Sequence, residues 1–169
     1  IFTDPFSWPE QIMLSNYAEA WQEAHMSEYF INSIIQAGAT VTGLIVLGTM
    51  ASYVLARFRF RLNKGIMLFF IMGMMIPMHT ILIPISYIIG TFQLSDNIAA
   101  LVMLYIASGL PFTILIITNY MKGVNRSLEE AAIVDGANFF QVYYHVMLPM
   151  CKPAVATVSI FNFLNTWNN

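Results

Sequence analysis

Long stretches of this sequence contain no charged residue, and they limit the chain to folds that tolerate such segments. Three of them run over 30–56, 65–93 and 98–121, and a further apolar run begins at Ala154. A helix rises about 1.5 Å per residue, so about 20 apolar residues cross the roughly 30 Å hydrocarbon layer of a bilayer. A β-barrel would instead show alternating apolar and polar residues in short segments. We therefore predict an all-α membrane protein with spans at about 30–56, 66–92, 98–121 and 154–169.

The composition agrees with that class and excludes several functions. The chain is 58% hydrophobic and only 9% charged, whereas soluble domains carry about 25% charged residues. A single cysteine, Cys151, cannot form an internal disulfide or a cysteine-based metal cage, and we expect no metal site. The apolar runs hold neither paired carboxylates nor a Ser–His arrangement, so we predict no enzyme activity in this chain. Nothing in the charge pattern indicates a nucleic-acid partner.

The distribution of the basic residues predicts one orientation in the membrane. All seven lie in two segments: Arg57, Arg59, Arg61 and Lys64, then Lys122, Arg126 and Lys152. Two predicted spans separate those segments, so both lie on the same side, which the positive-inside rule makes the cytoplasm. We thus expect 57–64 and 122–153 to be cytoplasmic and 1–29 and 93–97 to be external.

The two ends of the chain differ in character. Residues 1–29 are polar and acidic without a basic residue, and Ser15-Asn16 could cap a short amphipathic helix over 17–30. At the other end, the apolar run after Pro153 stops at Asn169. That run is shorter than a span requires, so the chain is interpreted as a fragment of a longer subunit, truncated inside its last span.

Polar residues and prolines inside the spans suggest a transport pathway. Asn32, Gln36 and Thr40 follow helical spacing and should share a face that avoids lipid. That face could line a pathway for substrate, or it could simply pack against another helix. We also expect the prolines within the spans to bend their helices, as is common near transport sites; these are Pro77, Pro84 and Pro111.

The polar segment between the third and fourth spans should contain two short helices. Ser127 and Glu130 fit a capping box, which predicts a helix over 128–135. Gly136 suits the left-handed position that ends such a helix. A second helix should run over 137–148 to Pro149, with Asn138, Gln141 and His145 as its polar positions. Its other residues are apolar, so it should lie between the helix bundle and a partner.

The same segment resembles a known motif. Glu130-Ala131-Ala132, Asp135-Gly136 and Leu148-Pro149 are similar to the EAA loop of inner-membrane permeases in binding-protein-dependent ABC importers, although Val146 replaces the usual Ile. The similarity to carbohydrate-uptake permeases extends along the chain, in PFSWP (5–9), LARFRFR (55–61) and ATVSIFNFLNTWN (156–168). Such subunits have about six spans, which would leave this chain without the first, part of the fifth and the sixth.

The resemblance implies a fold and a set of roles. Residues 30–169 would form a helical permease domain, and 122–153 would dock as a coupling loop on a cytoplasmic ATPase dimer. The ATPase-coupling residues would be Glu130, Ala131, Ala132, Asp135, Gly136, Leu148 and Pro149. The chain would bind no cofactor directly, since ATP belongs to the ATPase subunit.

The other implied partners are a second, different permease chain and an external or periplasmic solute-binding protein, in a bacterial or archaeal plasma membrane. The implied solute is a sugar. A permease for a peptide, phosphate or polyol, and a non-transporting membrane scaffold of the same fold, remain alternatives from the sequence.

Overall fold

The structure, a computed structural model, describes residues 15–95 and 97–168. The predictions for PFSWP and the rest of residues 1–14 lie outside the described residues, as does the predicted capping role of the Asn16 side chain. The described residues are helical or lie in short connections, and their helices are α1 (Ser15–Glu23), α2 (Met26–Arg57), α3 (Asn63–Met74), α4 (Met78–Thr91), α5 (Ile98–Gly123), α6 (Ser127–Val134), α7 (Phe139–Val142), α8 (Leu148–Met150) and α9 (Lys152–Trp167). A π-helical turn, Tyr143–Met147, joins α7 to α8.

The core lies where α2, α5 and α9 pack together. Gly48 lets α2 approach α5 closely, because a Cβ there would stand 2.5 Å from the Cγ2 atom of Thr113. The Asn162 side chain of α9 donates to the Thr113 hydroxyl at 3.2 Å, and the Ser52 hydroxyl of α2 donates to the Ile114 carbonyl of α5 at 3.3 Å. Small residues and interhelical hydrogen bonds of this kind are what hold helices together in lipid.

The N-terminal amphipathic helix differs from the prediction. It does not run unbroken over 17–30, because α1 ends at Glu23 and α2 begins at Met26. His25 separates them in a left-handed conformation with φ of 47°. Among non-glycine residues, histidine is one of those that adopt this conformation more often. The first long helix therefore starts four residues before the predicted span.

The apolar run over 66–92 is divided into two short helices. Helix α3 ends at Met74, and Pro77 is extended, with φ −63° and ψ 132°, before α4 begins. The residue before a proline is kept out of the helical region, which accounts for the break. Helix α3 has 12 residues, a rise of about 18 Å, so it cannot cross a bilayer by itself. Pro84 and Pro111 lie inside α4 and α5 as expected.

Two helices in the described part of the chain, α2 and α5, are long and apolar enough to cross a membrane. The segment Phe139–Met150 and helix α9 would add a third crossing if taken together, although they meet at an angle of 72°. Helix α9 begins at Lys152 rather than at Ala154, with Pro153 in its first turn, where a proline needs no backbone partner.

Candidate functional site

The segment that carries the EAA-like motif begins with α6, which is built differently from the prediction at its start. Its N-cap is Arg126, with no side-chain cap, and Ser127 is already helical. The predicted capping box of Ser127 and Glu130 is therefore wrong. Instead, the Asn125 side chain accepts from the Ser127 N–H at 3.1 Å, which satisfies one free donor of the first turn.

The end of α6 agrees with the prediction. Gly136 has φ of +89°, a left-handed conformation that glycine adopts without steric cost. The Gly136 N–H donates to the Ile133 carbonyl at 3.0 Å, and the Ala137 N–H donates to the Ala132 carbonyl at 2.9 Å. These bonds close the last turn of α6, as expected for a helix that stops at a glycine.

The second helix has an unpredicted start and an unpredicted irregularity. A capping box does occur here, because the Asn138 side chain accepts from the Gln141 N–H at 2.9 Å while the Gln141 side chain accepts from the Asn138 N–H at 2.8 Å. These two residues therefore cap the helix instead of forming its polar face. The helix continues to Met150, beyond the predicted end at Leu148. Its π turn precedes Pro149, which cannot donate the regular bond to the carbonyl four residues back.

A buried arginine ties this segment to the long helices. Arg57, the last residue of α2, forms an ion pair through Nε with a carboxylate oxygen of Glu129 in α6, and the two side chains are only 7% and 10% exposed. Its Nη2 atom donates to the Val124 carbonyl after α5 at 3.0 Å and lies 3.7 Å from the Met147 sulfur in the π turn. One side chain thus connects α2, the end of α5, α6 and the π turn.

The sequence reasoning missed this pair. From the sequence, Arg57 served only as a marker of topology and as part of the LARFRFR resemblance, and the acidic residues assigned to the site were Glu130 and Asp135, which are both exposed. Two adjacent glutamates in an eight-residue helix look alike locally. The usable signal was an arginine directly at the end of an uncharged run, where the charge must find a partner if it is buried.

The second helix is also bonded to α2 and shares its core. The Tyr143 and Thr49 hydroxyls are 2.8 Å apart and buried, and the Tyr143 ring centroid lies 5.4 Å from that of Tyr53. The cluster continues through buried residues of α5, the π turn, the junction between α8 and α9, and α9 itself; these are Ile117, Met121, Met147, Cys151, Ala154 and Val158. One side of the segment is therefore part of the bundle core.

The opposite side is apolar and open. On α6, Leu128 is 43% exposed and Val134 is 87% exposed, and Ala131 between them is exposed as well. Residues three apart lie on one helix face, so these three form a single outward face, which we term the α6 outer face. The second helix adds exposed aromatic side chains nearby: Phe139, Phe140 and Tyr144.

The predicted coupling residues divide between these surfaces. Glu130, Ala131, Asp135, Gly136 and Pro149 are exposed, while Ala132 and Leu148 are half-buried. Ala131, not Ala132, therefore belongs to the outward face. Leu128 and Val134 also contribute to it, and a helical wheel of α6 could have found them.

The residues predicted to line a pathway follow α2 with increasing burial. Asn32 is exposed, Gln36 is half-buried and Thr40 is 1% exposed. The Thr40 hydroxyl has no hydrogen-bond partner in the described part of the chain. One turn on, a Cβ at Gly43 would lie 2.5 Å from Ile106 of α5. The C-terminal end of this face, at Thr40 and Gly43, is thus a helix–helix contact. Its N-terminal end, at Asn32, is exposed.

The chain is similar to known transport proteins. A family model described as binding-protein-dependent transport system inner membrane component matches residues 29–169. The diacetylchitobiose uptake system permease protein NgcG of Streptomyces coelicolor is 36% identical over 168 residues, 99% of this chain and 56% of that protein. The melibiose/raffinose/stachyose import permease protein MelC of Bacillus subtilis is 28% identical over 169 residues, 99% of this chain and 61% of that protein.

A solved structure is similar in fold as well as in sequence. It is the crystal structure of a bacterial ABC transporter involved in the import of the acidic polysaccharide alginate, with a TM-score of 0.85 and 25% identity over 98% of this chain and 58% of that chain. This chain thus spans between 56% and 61% of the length of the two curated relatives. The resemblance inferred from the EAA-like motif is confirmed: the chain belongs to the family of inner-membrane components of binding-protein-dependent transport systems, with the all-α membrane fold of an ABC importer permease.

Proposed function

We propose that this chain forms part of the permease subunit of an ATP-driven sugar importer and couples it to a separate ATPase. The observation that carries the proposal is the two-sided construction of residues 127–150. One side is bonded to α2 and the end of α5 through Arg57, while the α6 outer face is apolar and exposed. Exposed apolar faces of this kind mark protein interfaces, and the family implies a transport complex with further subunits.

The proposed mechanism follows from these contacts. Closure of an ATPase dimer on bound ATP would push on α6, which we call the coupling helix. Because Glu129 is paired with Arg57 in a buried position, movement of the coupling helix pulls on the end of α2. The bond from Arg57 to Val124 carries the same movement to α5. The spans would then open outward and receive sugar from an external binding protein.

This subunit itself would be non-catalytic and would bind no cofactor, since ATP is held and hydrolysed by the partner. The mechanism requires 57–64 and 122–153 to be cytoplasmic and 1–29 and 93–97 to be external. A second permease chain would complete the pathway. Within this chain, Asn32 and Gln36 are candidates to line the pathway because they are not fully buried.

The sugar assignment is supported by relatives named for diacetylchitobiose and for melibiose, raffinose and stachyose. One assay tests the two alternative functions, which are transport of a different solute and a non-transporting scaffold of the same fold. In the reconstituted complex, ATPase activity should rise only when the external binding protein and its sugar are both present. Activity that is independent of the binding protein would favour the scaffold.

Docking of the coupling helix is tested by cysteine cross-linking in the full-length complex. Cys151 is first replaced by alanine, which its fully buried position tolerates better than a polar residue. A cysteine at Ala131 then probes the α6 outer face against single cysteines placed in the ATPase subunit. The matched control is Gly123→Cys, at the end of α5, where a side chain meets nothing within 4 Å.

We expect a cross-link from position 131 whose yield changes when ATP is added, and little from position 123. An assembled complex without a cross-link from position 131 would show that the coupling helix does not contact the ATPase. Equal yields from both positions would mean that proximity to the membrane surface, not docking, explains the reaction.

A further inference from the structure

A second surface on the same side of the molecule has a different chemistry. It is a cleft of about 410 Å³ between the end of α2, the start of α3 and the end of α5. Its lining includes five basic residues, Arg59, Arg61, Lys64, Lys122 and Arg126. No acidic residue lies among the described residues that line it. We term it the basic cleft.

The five cations of the basic cleft form no ion pair within the described part of the chain, although Arg59 and Arg126 also border a neighbouring cavity that holds Glu129 and Glu130. All five side chains are exposed, and the one ion pair in the described part of the chain is that of Arg57 with Glu129. The cleft therefore holds five of the seven basic residues of the sequence. Several unpaired cations around one concave surface create a strong local attraction for an anion.

The backbone that shapes the basic cleft is held in place. Asn63, at the start of α3, donates from its amide to the Leu55 carbonyl and to the Phe58 carbonyl, both at 3.0 Å. These bonds fix the turn between α2 and α3, which carries Arg59 and Arg61. The cleft is therefore a formed concavity whose size falls within the roughly 300–1,000 Å³ range of small-ligand sites.

The basic cleft opens beside an apolar surface. Helix α3 starts at its edge and has no buried residue. Along α3, Leu68, Phe69 and Met72 are 55%, 68% and 50% exposed. A ligand that occupied both surfaces would need a negative head and a hydrocarbon tail. Basic pockets at the cytoplasmic ends of membrane helices are suited to such amphiphiles.

We propose that the basic cleft binds the phosphate headgroup of an anionic phospholipid, with the acyl chains along α3. Guanidinium groups recognise phosphate oxygens in a bidentate manner, and ammonium groups add point charges. None of the residues that line the cleft belongs to the α6 outer face, so the proposal does not depend on sugar transport. It requires only that 57–64 face the cytoplasmic leaflet.

The test uses the full-length complex and phosphatidylglycerol, titrated against phosphatidylcholine and followed by native mass spectrometry. Lys64→Gln removes one charge from the cleft, and Lys152→Gln removes the same charge from an exposed position on the same side outside it. A cation that contacts the headgroup of an anionic lipid strengthens binding of that lipid about fivefold. Lys64→Gln should therefore weaken phosphatidylglycerol binding about fivefold and Lys152→Gln leave it unchanged.

The triple variant Arg61→Gln, Lys64→Gln, Lys122→Gln should weaken phosphatidylglycerol binding on the order of 100-fold without affecting phosphatidylcholine. Equal effects of Lys64→Gln and Lys152→Gln would overturn the proposal. The proposal would also be overturned if inorganic phosphate bound to the complex in phosphatidylcholine nanodiscs as tightly as phosphatidylglycerol does. The ligand of the cleft would then be a soluble anion and not a lipid. Loss of the ATPase subunits from the triple variant, with phosphatidylglycerol binding intact, would assign the cleft to a protein partner instead.

Discussion

Replacement of Glu129 by glutamine removes the negative charge from the pair that joins the coupling helix to α2. The glutamine side chain has nearly the same shape as the glutamate, so the packing of α6 should survive. Arg57, however, would remain buried, since its side chain is only 7% exposed. Its remaining contacts are the Val124 carbonyl at 3.0 Å and the Met147 sulfur at 3.7 Å, and neither carries a charge. The arginine would therefore be a buried cation without a counterion.

Removal of one partner from a buried ion pair costs about 3–5 kcal/mol. The glutamine side chain can still accept a hydrogen bond from Arg57, so we expect a loss of about 3 kcal/mol in the free energy of unfolding, at the lower end of that range. The double variant Arg57→Met, Glu129→Leu should recover most of this loss, because apolar residues of similar volume replace a buried pair well. ATP-driven uptake should nevertheless stay low in the double variant, since the link from α2 to Val124 is gone.

The assay is denaturant unfolding of the full-length complex, together with uptake in proteoliposomes. The matched control is Glu130→Gln, which makes the same chemical change on the adjacent, exposed side chain and should alter stability by no more than about 0.5 kcal/mol. Equal effects of the two glutamine substitutions would refute the buried pair. Full uptake in a stable Arg57→Met, Glu129→Leu complex would refute its role in coupling.

Two glycine substitutions test the packing and the turn. Gly48→Ala should lower the free energy of unfolding by about 1–3 kcal/mol, because the new Cβ would stand 2.5 Å from Thr113. The control Gly38→Ala, whose Cβ meets nothing within 4 Å, should not lower it. Thermal melts of the two variants that coincide would contradict the close α2–α5 contact. Gly136→Ala should cost about 1–2 kcal/mol through its φ of +89° and lower the cross-link yield from Ala131→Cys, whereas Gly123→Ala should change neither.

The sequence was sufficient for the class of fold and for the long helices. Uncharged length alone predicted α2 and α5, since only the hydrocarbon layer favours such runs. It also indicated the turn at Gly136, because a glycine after a short amphipathic stretch is a strong stop signal. The sequence predicted a bend at Pro77. It did not predict two separate helices, α3 and α4, because hydropathy carries no information about the backbone conformation of the residues around that proline.

The candidate site was predicted only in outline. The motif located α6, yet the choice between Glu129 and Glu130 depends on how α6 is rotated against α2, which is a tertiary property. Asn138 with Gln141 and Ser127 with Glu130 both fit the spacing of a capping box, and the local sequence does not show that only the first pair forms one. The π turn spans Tyr143 to Met147, which both contact α2, and lies directly before Pro149; hydropathy contains no signal for it.

Two polar contacts attach the second helix to α2 at separated points. Tyr143 bonds to Thr49, and Met147 contacts Arg57. Thr49 and Arg57 are eight residues apart on α2, a rise of about 12 Å. A single contact would allow the segment to swivel, whereas two contacts at that separation oppose both rotation and sliding. Because Arg57 also holds Glu129, the coupling helix shares one of these two points. A force on the α6 outer face should therefore move α6, the π turn and the end of α2 as one unit, which is the property that a transmission element between an ATPase and a membrane pathway requires.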